Sequence, residues 1–280
     1  MPLENEKTNT DLMIMQQLVA SYYSYWYQIL EKERQKSLSL PVLCGHKAYS
    51  QNDEDGIIAE IFDRIGIVHR RFFEIGSGNG MENNTLFWLK QGWSGVWVDG
   101  GENNALFIER YFSVPIGEQQ LFFRREIVTA ENINEIVGTT PCAGNEIDLL
   151  SIDIDGNDYY VFEALDTLDA RLVVIEYNAR FPAPIRWRQP YAADYMWDGS
   201  DWFGSSLQSI CDLFKGKGYT LVACNVTGAN AFFVRDDLLG EHFPLAGDAK
   251  ALFQPPRYLM TSGLFAHIGG HVVSNQLDHV

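Results

Sequence analysis

Short runs of apolar residues recur through the middle of the chain, and more polar segments separate them. These apolar runs lie at residues 71–75, 95–99, 121–128, 146–153 and 172–177. Short runs that are mostly apolar are typical of parallel strands that are buried on both faces. The intervening segments have the pattern of helices, at residues 83–91, at 158–168 and in a shorter stretch that ends near Gly138. The alternation predicts an open, mostly parallel α/β sheet with helices as crossovers.

The C-terminal part of this pattern predicts a β-hairpin. A helix at residues 205–216 precedes two strands, Tyr219–Cys224 and Ala231–Arg235, which residues 225–230 join. Two strands that are this close in sequence pair antiparallel, because a parallel pair needs a longer crossover. The sheet is therefore expected to end in a hairpin.

The N-terminal segment carries apolar side chains at helical spacing beside a polar stripe. The apolar positions in residues 12–30 are Leu12, Met15, Leu18, Tyr22, Tyr25, Trp26 and Ile29, and the polar ones are Gln16, Gln17, Ser21, Ser24 and Gln28. This pattern predicts an amphipathic helix that packs on a domain or a partner, and it argues against a membrane-spanning helix. An acidic turn, Asn52–Gly56, then opens a second helix that stops at Gly66.

These patterns divide the chain into three parts. Residues 1–50 are expected to form a helical extension, residues 51–235 the α/β domain, and residues 236–280 a C-terminal extension. A chain of 280 residues can bury one substantial core, so one decorated domain is favoured over two. The aromatic residues of the first helix make it a candidate surface for a homo-oligomer.

Composition narrows the range of partners. The net charge of −16 argues against nucleic acid and against an anionic membrane surface, because both need a basic face on the protein. The four cysteines show neither CxxC pairing nor zinc-ligand spacing. The N-terminal residues lack the basic and apolar regions of a secretory signal, so a cytoplasmic location is expected.

The segment Glu74–Gly80 combines an acid with three glycines at every second position, directly after a short buried strand. Glycines tolerate positive φ and let the backbone approach a ligand closely. A nicotinamide fingerprint would place the third glycine one residue later, and its pyrophosphate would be repelled by Glu74. A cationic nucleoside that bears an amino acid fits better, and S-adenosylmethionine is such a molecule.

Polar residues also stand at the carboxyl ends of the other predicted strands. In open α/β sheets, ligands bind at these ends, close to the point where the strand order changes direction. The residues concerned are Glu74, Asp99, Thr129, Asp153, Asp155, Glu176 and Asn178. Asp99 lies about 20 residues beyond the glycine loop, which is the distance at which an acid on the second strand meets ribose hydroxyls.

Two segments resemble a known family. Glu74–Gly80 resembles motif I of S-adenosylmethionine-dependent methyltransferases, and Leu149–Asp158 followed by Val173–Glu176 is similar to the pattern of FkbM-like methyltransferases. One departure is Asp155, which stands where that pattern has Glu. The resemblance extends over residues 50–235. It implies a Rossmann-like class I methyltransferase sheet with a terminal hairpin, and O-methylation of a hydroxyl on a sugar or a secondary metabolite.

The resemblance also implies roles for individual residues. The glycines at 76, 78 and 80 would flank the methionyl and ribose parts of the cofactor, and Glu74 would contribute to recognition of its amine. Asp99 would hold the ribose hydroxyls, and Thr129 with Ala130 would edge the adenine. The two acids Asp153 and Asp155 would lie at the catalytic centre, Asp153 being a candidate contact of the cofactor as well.

A hydroxyl acceptor must lose its proton, and the sequence offers two ways to arrange this. Oxygen side chains at Asp153, Glu176 and Asn178 suit Mg²⁺ or another divalent cation, which could lower the pKa of the hydroxyl. Alternatively, Asp153 contacts the cofactor amine and Glu176 caps a turn. In that case His46 could act as general base, or positioning alone would suffice.

Two other functions remain open on the sequence alone. One is an NAD-dependent oxidoreductase, and the other is a catalytically silent, nucleotide-binding interaction module that assembles through the first helix. The long connection at residues 179–203 is rich in aromatic residues and has the length of a lid or binding element. It fits a small hydroxylated substrate, either a sugar or an aromatic compound.

Overall fold

A single seven-stranded sheet organises the residues that the computed structural model describes, which are 2–258, with the backbone alone for 2–12. In chain order its strands are β1 (Arg71–Ile75), β2 (Ser94–Asp99), β3 (Leu121–Arg125), β4 (Glu146–Ile152), β5 (Asp169–Glu176), β6 (Tyr219–Cys224) and β7 (Asn230–Arg235). Their spatial order is β3-β2-β1-β4-β5-β7-β6. The first five strands are parallel, and β7 is antiparallel to both β5 and β6.

This strand order confirms the predicted fold class, a Rossmann-like α/β sheet that ends in a hairpin. The chain starts at the centre with β1, moves outward to β3, and then returns to the other side of β1 with β4. The direction of winding therefore changes between β1 and β4, and a crevice opens there at the carboxyl ends of the strands. The terminal hairpin is the feature that distinguishes this sheet from the all-parallel dinucleotide-binding order.

Helices and short helical turns cover the sheet. The helices are α1 (Pro2–Lys36), α2 (Glu54–Ile65), α3 (Leu86–Lys90), α4 (Glu102–Tyr111), α5 (Ser113–Gly117), α6 (Ile133–Gly138), α7 (Asp158–Ala164), α8 (Leu207–Gly216) and α9 (Ala249–Leu252). Helices α4 and α5 were not predicted. The signal of α4 was present, because Ala105, Ile108 and Phe112 are buried and recur at helical spacing.

The predicted boundary of β3 was wrong by three residues, with consequences for the site. The strand ends at Arg125, whereas the apolar pattern predicted a strand as far as residue 128. Residues 126–128 leave the sheet, and Val128 is buried there without being part of a strand. A buried apolar residue just after a strand cannot be distinguished from the strand itself by periodicity alone.

Of the described side chains of helix α1, those of residues 13–36, the ones near its C-terminal end pack on the domain. Ile29, Leu30 and Glu33 are buried, whereas Met13 and Tyr27 are 61% and 63% exposed. Of the predicted apolar face, Tyr22 and Trp26 are partly covered, Leu18 and Tyr25 are exposed, and the side chain of Leu12 lies outside the described residues. Assembly of a homo-oligomer through this helix stays a prediction. Within the described part of the chain, no helix has the length and apolarity that crossing a membrane would require.

The segments on either side of the sheet domain contribute to the same core. Ile29 and Leu30 from α1 and Leu252 from α9 belong to the hydrophobic cluster that includes the sheet. The Lys36 ammonium also donates to the Ala251 carbonyl at 2.8 Å, which ties the two segments together. Residues 259–280 of the predicted C-terminal extension lie outside the described residues.

A buried carboxylate fixes the entry to the central strand. Asp148 on β4 is fully buried and accepts hydrogen bonds from the backbone N–H groups of Val68, His69 and Arg70 at 2.5–3.0 Å. The guanidinium of Arg171, itself buried on β5, lies 3.4 Å from the same carboxylate. One side chain thus holds the segment before β1 and neutralises a buried cation.

We expect Asp148→Ala to lower the free energy of unfolding by about 3–5 kcal/mol, because it leaves a buried guanidinium without its counter-charge and three backbone donors without their acceptor. Urea denaturation measures this loss. The matched control is Asp169→Ala, which removes an exposed acid that contacts Arg235 at 3.2 Å and should cost at most about 1 kcal/mol. Equal losses for both variants would contradict this account of Asp148.

Candidate active site

A cavity of about 520 Å³ opens at the carboxyl ends of β1, β2 and β4. Its described walls include the glycine loop at 76–79, residues 98–101 at the end of β2, residues 126–128, residues 153–155 after β4, and Ala193, Tyr195 and Met196 of the long connection. This volume is in the range of small-molecule and cofactor sites, which is about 300–1,000 Å³. The cavity also lies where the strand order changes direction, which is the place expected for a ligand.

The three glycines of the loop serve different purposes. Gly76 has φ +81°, and a Cβ there would lie 1.6 Å from the carbonyl oxygen of Asp153. Gly78 also has positive φ, +56°, but a Cβ there would meet nothing within 4 Å. Gly80 packs beneath Trp97, whose ring would be 2.6 Å from a Cβ at that position, and it does not line the cavity. Gly76 and Gly78 shape the site, and Gly80 supports it.

The Asp99 carboxylate joins the glycine loop to the next helix. It accepts hydrogen bonds from the backbone N–H of Gly78 at 2.9 Å, from that of Gly101 at 2.8 Å, and from the side-chain amide of Asn104 at 2.9 Å. It lines the cavity and is only partly covered. A carboxylate has about four lone-pair directions, so Asp99 keeps acceptor capacity for a ligand.

The Glu74 carboxylate is buried beneath the loop and holds the turn before α3. It accepts from the backbone N–H of Asn84 at 2.9 Å, from that of Thr85 at 3.2 Å, and from the Thr85 hydroxyl. Burial raises the pKa of Glu74 to about 7, and these hydrogen bonds oppose the rise. Glu74 also contributes to the cavity wall.

Three acids converge at the cavity, of which Asp153 and Asp155 line its wall and Glu176 does not. Asp153, Asp155 and Glu176 each place one carboxylate oxygen so that all three lie within 4.8 Å of one another. Burial is the main reason that the pKa of each is raised. Repulsion from a neighbouring acid adds to it, chiefly from Asp158 for Asp153, from Asp99 for Asp155 and from Asp153 for Glu176. The Oε2 atom of Glu176 is buried and has no hydrogen-bond partner. Several oxygen ligands that face one point form the donor set preferred by hard divalent cations.

Asn178 was predicted to join these acids, but the structure engages it elsewhere. Its side-chain amide donates to the carbonyls of Asp201 and Phe203, both at 2.9 Å, and its Oδ1 accepts from the backbone N–H of Arg180 at 3.0 Å. Asn178 therefore holds the long connection, and it is not among the residues that line the cavity.

Three other predicted site residues also lie outside the cavity wall. His46 is exposed, and its Nδ1 lies 3.2 Å from the carbonyl of Cys44. Thr129 and Ala130 follow the wall residue Val128 by one and two positions. Thr129 and Ala130 lie beyond the wall because β3 ends early and residues 126–128 are the ones that reach the cavity.

Several asparagines in or beside the cavity were not predicted as site residues. Asn83 and Asn230 are buried and line the cavity, and polar atoms of both side chains have no hydrogen-bond partner. Asn157 Oδ1 and Ser77 Oγ are likewise buried atoms of the cavity wall without a hydrogen-bond partner. Buried polar atoms normally find a partner, so this concentration indicates a polar ligand. Amides in loops and at strand starts give no distinctive pattern in a single sequence.

The cavity wall is strongly acidic. Its carboxylates are Glu74, Glu82, Glu126, Asp99, Asp153 and Asp155. Among the described wall residues there is no lysine or arginine, and Lys47, which is not part of the wall, pairs with Glu82 at 3.3 Å. This charge distribution favours a cationic ligand and disfavours a pyrophosphate.

Comparisons with known proteins give similarity of fold only. No protein-family model and no curated protein matches the chain. Among solved structures, a provisionally assigned caffeoyl-CoA O-methyltransferase from Staphylococcus aureus is 15% identical, with 64% of this chain and 81% of that one covered and a TM-score of 0.43. An S-adenosylmethionine-dependent methyltransferase from Clostridium acetobutylicum is 12% identical, with 64% and 89% covered and a TM-score of 0.38. The O-methyltransferase TomG from Streptomyces achromogenes, in complex with S-adenosylmethionine, is 12% identical, with 59% and 73% covered and a TM-score of 0.35.

We expect Gly76→Ala to lower the free energy of unfolding by about 2–5 kcal/mol, because it adds a left-handed backbone penalty to a clash with the Asp153 carbonyl. The matched control is Gly78→Ala, which has the backbone penalty without the clash and should cost about 1–2 kcal/mol. Urea denaturation of both variants gives the comparison. A loss for Gly76→Ala no greater than that for Gly78→Ala would show that the close approach to β4 is not a constraint.

Glu74 should make the stability of the ligand-free protein depend on pH. Its pKa is about 7 in the folded protein against a reference value of 4.5, so between these values the folded state holds a proton that the unfolded chain releases. Stability should therefore fall as the pH rises through this window. Glu74→Gln cannot release this proton, so its stability lacks this pH dependence. The difference between its melting temperature and that of wild type should therefore increase from about pH 5 to about pH 8. A difference that stays constant with pH would refute the assignment.

Proposed function

We propose that this protein is an S-adenosylmethionine-dependent methyltransferase that transfers the methyl group to a hydroxyl of a small molecule. The observation that carries the proposal is the acid-lined cavity at the point where the strand order changes direction. The sulfonium and ammonium groups of this cofactor are cationic, and acidic walls complement both charges. The glycine loop beside these acids gives the cofactor close access to the backbone.

The residues present fit this cofactor. Asp99 has acceptor capacity for the ribose hydroxyls, and Gly76 and Gly78 leave room for the methionyl part. Residues 126–128 supply apolar side chains and backbone groups for the adenine. Thr129 and Ala130 lie too far along the chain to share the wall, so their proposed role passes to residues 126–128. The carboxylates of Glu74 and Asp153 are available to the ammonium group.

The long connection at residues 179–203 is proposed to hold the acceptor. Tyr195 and Met196 line the cavity, and the Tyr195 ring lies against Gly156, where a Cβ would be 2.5 Å away. Nearby on the same segment, Trp197 and Trp202 are half exposed. Flat apolar faces above a polar cavity suit a sugar ring or an aromatic compound, and this is the support for a small hydroxylated substrate.

We propose that Asp153, Asp155 and Glu176 hold a divalent cation beside the acceptor. When bound, the cation would polarise the acceptor hydroxyl and lower its pKa. The acids would hold the acceptor oxygen on the cofactor side of the cavity, and Asp155 would face the opening. Most of the remaining rate acceleration comes from positioning the oxygen in line with the methyl group. Without a cation, the hydroxyl would be activated by positioning alone or by a general base. His46 is the predicted base, and it is exposed and lies outside the cavity wall.

The two rival functions have less support. An NAD-dependent oxidoreductase must hold a pyrophosphate, for which the described wall offers six acids and no basic side chain. A silent nucleotide-binding module would use the buried, unpartnered polar atoms around the cavity as well as an enzyme would, because such atoms cost stability unless a ligand satisfies them. It gives no role, however, to the cluster of Asp153, Asp155 and Glu176 beside them.

Calorimetry with S-adenosylhomocysteine and with NAD tests the cofactor. We expect S-adenosylhomocysteine to bind and NAD not to bind. The variant Asp99→Asn should weaken S-adenosylhomocysteine binding by about 10–100-fold, because a charged hydrogen bond is worth about 1.5–3 kcal/mol. The control Asp169→Ala, at the opposite end of the sheet, should bind like wild type. Tighter binding of NAD than of S-adenosylhomocysteine would sink the proposal.

Methyl transfer to a panel of hydroxylated sugars and phenols then separates an enzyme from a silent module. With an accepted substrate, removal of divalent cations by a chelator should abolish turnover, and addition of Mg²⁺ should restore it. Full activity in excess chelator would show that the cation is not needed for catalysis, and it would still support the proposed methyltransferase activity. Cofactor binding without transfer to any acceptor would favour the silent module.

A further inference from the structure

A buried hydrogen-bond network joins the acidic turn before α2 to the active-site cavity. Glu54 is fully buried, and its Oε1 accepts from the side-chain amides of Asn52 at 2.8 Å, Asn225 at 2.8 Å and Asn230 at 2.9 Å. Its Oε2 accepts from the backbone N–H of Asn52 at 2.8 Å. One carboxylate therefore binds amides from the turn before α2 and from both ends of the loop between β6 and β7.

This network fixes the direction in which the Asn230 amide points. A carboxylate only accepts hydrogen bonds, so the NH₂ group of Asn230 faces Glu54 and its Oδ1 faces away. The Oδ1 of Asn225 is already used, since it accepts from the backbone N–H groups of Ala229 and Asn230 at 2.9 Å each. The Oδ1 of Asn230 has no partner, although the residue is only 3% exposed and lines the cavity.

The strand register places this oxygen beside the acid cluster. Asn230 on β7 is directly opposite Glu176 on β5. Residues that are directly opposite on antiparallel strands share one face of the sheet, so these two side chains are neighbours. The Oε2 of Glu176 also lacks a hydrogen-bond partner. While Glu176 is ionised, acceptor oxygens on these two neighbouring side chains cannot satisfy each other, and a cation that both could coordinate would satisfy them together.

We propose that Asn230 provides, through Oδ1, a neutral oxygen ligand to a divalent cation held by Asp153 and Glu176, and that Glu54 is the positioning residue that directs this oxygen to the cation. The inference rests on the cation site of the proposed function and replaces Asn178 as the amide ligand. A neutral ligand suits the position, since it adds coordination without adding a further negative charge to a cluster of three acids. The network also assigns a purpose to the acidic turn, which lies far from β7 in sequence.

Binding of Mn²⁺ to the full chain, measured by electron paramagnetic resonance without cofactor, tests the ligand. Replacing the amide by an apolar side chain of similar size, Asn230→Leu, should raise the Kd for Mn²⁺ at least about tenfold. The matched control is Asn83→Leu, which removes another buried, unpartnered amide from the cavity wall and should leave the Kd for Mn²⁺ unchanged. Equal Mn²⁺ affinity in wild type and in both variants would overturn the inference and leave the cation site of the three acids standing.

The variant Glu54→Gln tests the positioning role. It should raise the Kd for Mn²⁺ about 10–100-fold, as loss of a partner that orients a metal ligand does, while the affinity for S-adenosylhomocysteine stays unchanged. A merely structural role would instead lower the melting temperature and weaken both ligands alike, which would overturn this part of the proposal.

A second substitution keeps the test decisive if Asn230→Leu does not fold. Asn230→Ala removes Oδ1 without placing a bulky apolar group against Glu54, so it should also raise the Kd for Mn²⁺ at least about tenfold. Unchanged or tighter binding by the folded variant would count against Asn230 as a ligand. If wild type itself binds no Mn²⁺, the cation site and this inference both fail, and the calorimetry with S-adenosylhomocysteine still decides the rest of the proposed function.

Discussion

The close approach of β1 and β4 at the centre of the sheet is the constraint on which the rest of the site depends. The backbone N–H of Asp153 donates to the carbonyl of Ile75 at 3.0 Å, and Gly76 turns away directly beside the Asp153 carbonyl. Because only glycine fits there, β1 leads into a loop that lies against the end of β4. The cofactor wall and the acid cluster are thereby parts of one rigid junction.

That junction concentrates negative charge in a place where water is scarce. Glu74 and Asp153 are enclosed by the sheet and its loops, and burial raises the pKa of both. Buried acids without a cationic partner destabilise a protein, so their retention around a cavity points to cations that arrive from outside. The cationic cofactor and a divalent cation would relieve different parts of this repulsion. Stability and ligand binding are coupled through the same carboxylates.

The fold was largely readable from the sequence, and the site only in part. Short, mostly apolar runs predicted the strands, and Gly76, Gly78 and Asp99 were expected at the crevice because glycine and acid have distinct local roles after a buried strand. All three line the cavity, and their contacts with a cofactor stay predictions. Thr129 and Ala130 were expected beside the adenine, whereas residues 126–128 line the cavity. Apolar periodicity cannot show where a buried strand ends. Asn178 was placed at the cluster because it follows β5, yet a strand end fixes a backbone position and does not fix what the side chain contacts.

The sequence by itself determined the order of strands and helices, the glycine loop and the acidic character of the strand ends, because these depend on periodicity and on residue types within a few positions. Only the tertiary structure decided which amide meets the acids. Asn230 lies 54 positions beyond Glu176 in the sequence and becomes its neighbour through the antiparallel register of β7 against β5. Its orientation is set by Glu54, which is more distant still along the chain. Contacts between residues this far apart depend on how the strands and helices pack together, and the pattern of neighbouring residue types in the sequence does not predict them.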